Sequence, residues 1–495
     1  MNKTAEYARL TTPFEREYDK SAPWSDYLPL NGEWDFDIDE SDVFPAKYRE
    51  KITVPFPPES RLSGIERTHA PNEYLYYRRK FTLPEGFNRG RVILHFGAVD
   101  QHYALFVNGM KKRQLGYIAN NGIGGYIPSS HDITDALMAE NEICVRVKDE
   151  LSHLYPWGKQ KYRRGGMWYT PVSGIWQTVW LESVSESYIK ELKIPQTDEA
   201  ATVKVIGGVG KKRLPLDTGE TFEFDTDEIT VTPEAKKLWT PDEPNLYYFT
   251  LECGSDCVKS YFALRKIEIG CVSGVPRILL NGKPYFFNAL LDQGYYPDGI
   301  FLPATSEGFK SDILLAKSLG FNTLRKHIKI EPMIFYHLCD KLGMIVFQDM
   351  INNSDYSFIR DTALPTVGLK GLSDKHLHKN KESRRIFVEN MYKTLDLLHS
   401  TPSVLYYTIF NEGWGQFSAD EVYSLAKAYE PTRIIDATSG WFIQKLSDVD
   451  SHHVYFKKIK LKTPTARPII ISEFGGYSHR VEGHLFGPAN YGYKS

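Results

Sequence analysis

The sequence predicts a multidomain β plus α/β fold, two β-sandwiches followed by a (β/α) barrel, and three observations carry that prediction. The chain has 495 residues, well beyond the roughly 250 to 300 at which a single hydrophobic core stops growing. Its first half alternates apolar and polar residues in short runs broken by turn formers, which is the pattern of half-buried strands. After about residue 270 helical stretches begin to alternate with short apolar runs, the pattern of parallel βα units.

The first β-sandwich is assigned to residues 1–185. Residues 75–83, 91–96 and 103–107 read as strands, and Asn108-Gly109 supplies the residue types that tolerate the positive φ of a tight hairpin. Residues 142–147 and 177–181 continue the meander, and the Gly-, Tyr-, Trp- and Arg-rich stretch 157–176 reads as a long ordered loop crossing to another domain. Residues 186–269 have the length of a small immunoglobulin-like sandwich, with strands at 202–206, 229–232 and 247–251.

The barrel is assigned to 270–495. Ser306 is placed to cap a helix whose apolar residues Ile313, Leu314, Ala316 and Leu319 fall on one side, and Gly320 ends it. Residues 321–325 follow as a strand, 334–342 as a helix closed by Gly343, and 344–349 as the next strand. The same rhythm returns at 404–410, 433–437 and 468–472.

Composition narrows the partners. With 60 basic and 62 acidic residues the formal charge is −2, so nothing favours nucleic acid or an anionic membrane surface. Aromatics make up 14% of the chain, which suits either sugar stacking or densely packed sandwich cores. Residues 1–9 lack the apolar core of a secretion signal, and no window approaches the roughly 20 apolar residues of a membrane span. The five cysteines are odd in number and lack paired zinc spacing. The expectation is a cytoplasmic protein without a catalytic metal or cofactor.

In a (β/α) barrel the chemistry lies at the C-terminal ends of the strands. Asn411 and Glu412 directly follow an apolar run ending in Phe410, and Glu473 follows 468–472. A charge continuing a buried strand is costly unless it is paired or faces a cleft. Two carboxylates from different strands are what glycoside hydrolysis needs, one as acid and one to capture the oxocarbenium-like carbon. A lone glutamate there can equally be a helix N-terminal acid.

At this point the sequence resembles glycoside hydrolase family 2, the group of β-galactosidases, β-glucuronidases and β-mannosidases. The resemblance is carried by Leu30-Asn31-Gly32-Glu33-Trp34-Asp35-Phe36, Gly174-Ile175-Trp176-Gln177, Phe321-Asn322-Thr323-Leu324-Arg325-Lys326-His327, Asn411-Glu412-Gly413-Trp414 and Ser472-Glu473-Phe474-Gly475-Gly476, in that order. It implies that the first sandwich is a sugar-binding jelly roll and that the enzyme is a retaining exo-β-glycosidase, most similar to β-galactosidases. Glu412 is then the acid/base, Glu473 the nucleophile, Asn411 a partner of a ring hydroxyl, and Arg325 a two-pronged partner of Glu473. His327, His453 and Tyr455 are expected to bind hydroxyls or orient a carboxylate, unless they are simply satisfied in the core. Trp414 and Trp441 either stack on sugar or pack. Asp292 is included among the substrate-binding residues, although its segment 288–294 differs from the Arg- and His-rich strand end of many β-galactosidases.

The family's barrel has an eighth strand, whereas 270–495 supplies apolar runs for about seven, so the barrel is expected to lack its last unit. That leaves a second reading open, a carbohydrate-binding protein of the same fold with little turnover. In either case the expected partner is a carbohydrate, with a homo-oligomer formed through the open edge as a further possibility.

Overall fold

The structure is a computed structural model that describes residues 14–16, 27–109, 117–120, 125–163, 165–364, 373–455, 458–461, 465–483 and 492. The first sandwich packs a four-stranded sheet, ordered Ser129–Asp132, Arg91–Phe96, Val179–Val184 and Tyr27–Pro29, against a six-stranded one. The six-stranded sheet runs Glu50–Val54, Gly32–Asp39, Tyr74–Phe81, Asn141–Lys148, His102–Val107, Tyr117–Asn120. Period two explains the packing: Trp34, Phe36 and Ile38 enter the core, while the intervening Glu33 and Asp35 pair with Lys51 on the neighbouring strand.

The second sandwich joins a three-stranded sheet (Ile189–Lys193, Ala201–Gly207, Glu228–Val231) to a five-stranded one around Val203, Leu214, Phe249, Leu251 and Val258. The five-stranded sheet has Phe14–Arg16 as an edge strand, paired antiparallel with Asp256–Phe262. This corrects the boundary drawn at 1–185, because the earliest described residues complete the second sandwich. An edge accepts any extended segment that can satisfy its ladder, so no pattern in 14–16 could announce the pairing.

The stretch assigned to the start of the barrel is an antiparallel ribbon, Ile267–Val272, Val275–Leu280 and Lys283–Pro284. Its Ile267, Ile278 and Leu280 pack with Ile345, Phe347, Leu405 and Ile434 of the barrel. Seven parallel barrel strands follow among the described residues: β1 Ala289–Asp292, β2 Thr323–Lys326, β3 Ile345–Asp349, β4 Val404–Asn411, β5 Ile434–Ser439, β6 Asp450–Val454 and β7 Ile469–Phe474. Helices α1 Glu307–Ser318, α2 Met333–Leu342, α3 Lys381–Leu398 and α4 Ala419–Tyr429 lie between them. Strands β1 to β5 form one ladder and β6 with β7 another. Among the described residues no ladder joins β5 to β6 or β7 to β1.

Burial follows that division. Every residue of β3, β4 and β5 is buried, whereas β1 alternates exposed and half-buried and β7 is mostly half-buried. Helix α1 shows the same asymmetry. Ile313 and Ala316 are buried but Leu314 and Leu319 are exposed, so the single apolar face expected for it is only half used. Ser306 also differs from expectation, having helical φ and ψ and making no side-chain cap bond.

Candidate active site

Arg325, near the end of β2, organises the cleft. Its side chain is almost fully buried, and each nitrogen has a partner from a different strand end. Nε donates to Asp349 Oδ1 of β3 at 3.0 Å, Nη1 to Glu473 Oε1 of β7 at 2.9 Å, and Nη2 to Asn411 Oδ1 of β4 at 2.9 Å. Buried charges demand this level of pairing. Burial alone would lower the guanidinium pKa, but Asp349 and Glu473 outweigh it and raise it.

Glu473 is the better shielded of the two expected catalytic glutamates. Besides Arg325 it accepts from the Tyr455 hydroxyl. Burial works to raise its carboxyl pKa, yet the charges of His453 and Arg325, with His327 and Lys159 behind them, hold it well below the usual range. Glu412 is half-buried and adopts a left-handed backbone, φ +53°, a strained conformation that tends to persist where the surroundings enforce it. Its N–H donates to Ser439 O at 2.9 Å.

His453 links the two. Its Nδ1 lies 2.8 Å from Glu412 Oε1 and 3.5 Å from Glu473 Oε2, and its Nε2 lies 2.8 Å from Ser439 Oγ. One donor atom each from Glu412, His453 and Glu473 falls within 4.8 Å of the others, the one such grouping among the described residues. A cation there would have to displace the contact between Glu412 and the imidazole nitrogen.

Most of the other expected site residues are drawn into the same cleft. His327 Nδ1 lies 2.7 Å from Asp349 Oδ2, and burial together with the nearby Lys159 charge pushes its pKa down. The Asn411 Nδ2 group is buried with no hydrogen-bond partner among the described residues, so a donor is available at the cleft. Trp414 is buried in an aromatic cluster, 5.1 Å from Trp168 and 4.6 Å from Tyr356 between ring centroids. Trp441 lies half-buried just after β5.

Asp292 is the exception. Its carboxylate pairs with Lys326 at 2.7 Å, within a network that includes Glu331 and Lys329 rather than the Arg325 cluster. Neighbouring residues on a strand point to opposite faces, so Lys326 turns away from the cleft that Arg325 serves and takes Asp292 with it.

Three residues went unread as functional. Asp349 and Ser439 end apolar strands, as the glutamates do, and the strand-end rule applied evenly would have found them. Lys159 comes from the loop of the first sandwich. It is 4% exposed, with Nζ 3.2 Å from His327 Nε2 and 4.5 Å above the Trp414 ring. No local pattern marks a loop lysine as a visitor to another domain.

Two sandwiches, then a parallel-stranded barrel with an arginine-clamped carboxylate beside a second one, define the multidomain architecture of barrel-type glycoside hydrolases. Residues 277–491 match the model of the glycosyl hydrolases family 2 TIM barrel domain. It is 23% identical over 454 residues to a putative beta-glucuronidase of Formosa agariphila, covering 82% of this chain and 50% of that protein. It is also 23% identical to the beta-galactosidase large subunit of Latilactobacillus sakei, covering 93% of this chain and 81% of that one. The chain thus spans half the length of the first relative and most of the second. The fold is shared with a beta-D-glucuronidase of Dictyoglomus thermophilum at TM-score 0.73 and 17% identity, covering 96% of this chain and 87% of that one.

Proposed function

We propose that the protein is a retaining exo-β-glycosidase working by double displacement. The observation that carries the reading is the placement of Glu412 and Glu473 about one imidazole, with one oxygen of each inside the 4.8 Å grouping. Retaining enzymes need carboxyls about 5 to 5.5 Å apart, so that one can bond directly to the anomeric carbon; inverting ones leave about 6.5 to 9.5 Å for water.

Glu473 attacks the anomeric carbon as the leaving oxygen takes a proton from Glu412, giving a glycosyl-enzyme. Glu412 then accepts a proton from water, which attacks the same carbon and returns the carboxylate of Glu473. Arg325 and Tyr455 keep the nucleophile aimed and ionised. Asn411, held by Arg325, presents its Nδ2 donor to a ring hydroxyl.

The glycone is proposed to be β-galactosyl. Support comes from the names of several relatives, while others are named for glucuronic acid, so the substrate panel must contain both. The test is hydrolysis of nitrophenyl β-glycosides with proton NMR of the first-formed anomer. Release of the β-anomer is expected; an α-anomer, or no turnover on any member, would sink the proposal.

A further inference from the structure

Lys159 is carried into the cleft by the first sandwich. Its loop is stitched to the segment after β3: Trp157 N donates to Asn352 O at 3.1 Å, Trp157 Nε1 to Ser354 O at 3.2 Å, and Asn353 Nδ2 to Leu154 O at 3.0 Å. Lys159 itself sits in a left-handed backbone, φ +58°, so its placement is enforced by its surroundings. A buried ammonium is costly without partners, and no carboxylate lies within ion-pair distance of it among the described residues.

What it does hold is His327. An ammonium can only donate, so His327 Nε2 must accept, and the ring proton of the neutral imidazole must then sit on Nδ1. That proton is donated to Asp349 Oδ2 at 2.7 Å, whose Oδ1 accepts from Arg325 Nε at 3.0 Å. Arg325 in turn bonds Glu473 and Asn411. The relay therefore runs from the first sandwich through β2 and β3 to the residues expected to touch the sugar on β4 and β7.

We infer that Lys159 is a positioning residue that fixes the His327 tautomer and, through Asp349 and Arg325, the aim of Glu473. The charged groups around its Nζ are Glu412, Glu473, Arg325 and Asp349. Burial lowers its own pKa while both glutamates oppose that, and its charge in turn discourages a second proton on His327. Without it, Nε2 is free to take the proton and Asp349 loses a donor. The inference goes beyond the glycosidase reading but places its effect on that reading's nucleophile.

Two measurements test it, on the full chain with Lys159→Met, Lys159→Gln and Lys159→Arg. The first is the rate at which 2,4-dinitrophenyl 2-deoxy-2-fluoro-β-galactoside and the corresponding glucuronide label Glu473. A loss of about 10- to 100-fold is expected for the methionine variant, as for other groups that orient a reacting residue, with recovery to within a few-fold in the arginine variant. The second is nitrogen-15 NMR of the His327 ring, identified by its absence in His327→Gln. The parent should hold the Nδ1–H form at neutral pH, while the methionine variant should change tautomer or titrate at a higher pH than the parent. A merely structural role would lower stability and leave the ring spectrum unchanged. Parent-like labelling together with an unchanged ring overturns the inference, as does an arginine variant as slow as the methionine one. If neither reagent labels Glu473, the glycosidase reading fails and the ring spectra still decide the relay; the glutamine variant replaces methionine if the latter does not fold.

Discussion

At the scale of single residues, the cleft depends on groups that cannot be exchanged for near relatives. Arg325 serves three strands through three nitrogens, and a lysine at that position supplies one point charge without the fork. Arg325→Lys is expected to lower kcat/KM at least about 100-fold and to cost about 3 kcal/mol of stability, because Asp349 or Glu473 is left buried and unpaired. Steady-state kinetics and denaturant unfolding check both numbers. Gly440 is constrained differently: at φ +88° an added Cβ would lie 2.5 Å from Cγ of His453. Gly440→Ala should therefore displace the imidazole between the glutamates and reduce kcat/KM by about 100-fold, in line with the cost of misplacing a catalytic geometry by about 1 Å. An alanine variant with parental kinetics would show that the loop yields instead.

The two glutamates separate by rescue. Glu412→Ala should still form the glycosyl-enzyme from a dinitrophenyl glycoside, whose leaving group needs little acid, whereas Glu473→Ala should not. A burst from the Glu473 variant reverses the roles. These residues, with Asn411, were legible in the sequence because each ends or follows an apolar run, and the run itself is what buries a strand, whereas Arg325 was marked only by the resemblance. Asp292, placed among the substrate-binding residues, instead pairs with Lys326, and a run of only four residues gives no sign of which face meets the cleft.

At the scale of elements, the second sandwich is fastened to the barrel through α2. Asp340 Oδ1 accepts from Ser403 N at 2.7 Å and Oδ2 from the Tyr261 hydroxyl at 2.8 Å, while its carbonyl accepts from the Trp239 indole at 2.8 Å. Burial drives this carboxyl up to about 7, against the hydrogen bonds from Ser403 and Tyr261 and the charge of Arg265. The native state therefore binds more protons than the unfolded chain between about pH 4 and pH 7. Stability is lost as pH rises through that window, by at most about 1.4 kcal/mol per pH unit, and the loss is complete above it. Asp340→Asn removes the penalty, so its stability relative to the parent should grow from pH 5 to pH 8 in urea unfolding; a constant difference would mean the group titrates elsewhere. Helices α1 and α2 and strands β2 to β5 and β7 could be read from periodicity, but their docking could not, because it rests on side chains far apart in sequence.

At the scale of the molecule, apolar exposure is uneven. Leu291 of β1, Leu315 of α1 and Leu319 beside it, and Phe474 of β7 are 41%, 59%, 64% and 60% exposed, while β3 to β5 are buried throughout. Exposed apolar surface of this kind favours association. Leu315→Glu with Leu319→Glu is expected to reduce concentration-dependent self-association in sedimentation without lowering activity, since neither side chain reaches the cleft; unchanged sedimentation would mean that the face is inert.

The break between β5 and β6 bears on Glu412 and Glu473 in a further way. They stand on separate strand ladders among the described residues, and besides one backbone bond ahead of β6, Asp448 N to Ile435 O at 3.0 Å, much of what crosses the break is a set of short hydroxyl stitches. Ser439 Oγ of β5 reaches Ser472 Oγ at 3.0 Å, His453 Nε2 at 2.8 Å and Ser451 Oγ at 3.4 Å. The gap between the two carboxyls is therefore a mechanical quantity, set by how firmly one plate is sewn to the other. On the proposed double displacement, loosening the seam by an ångström or two would carry the pair toward the spacing of single displacement, so the stereochemistry of the product would read the stiffness of three serines.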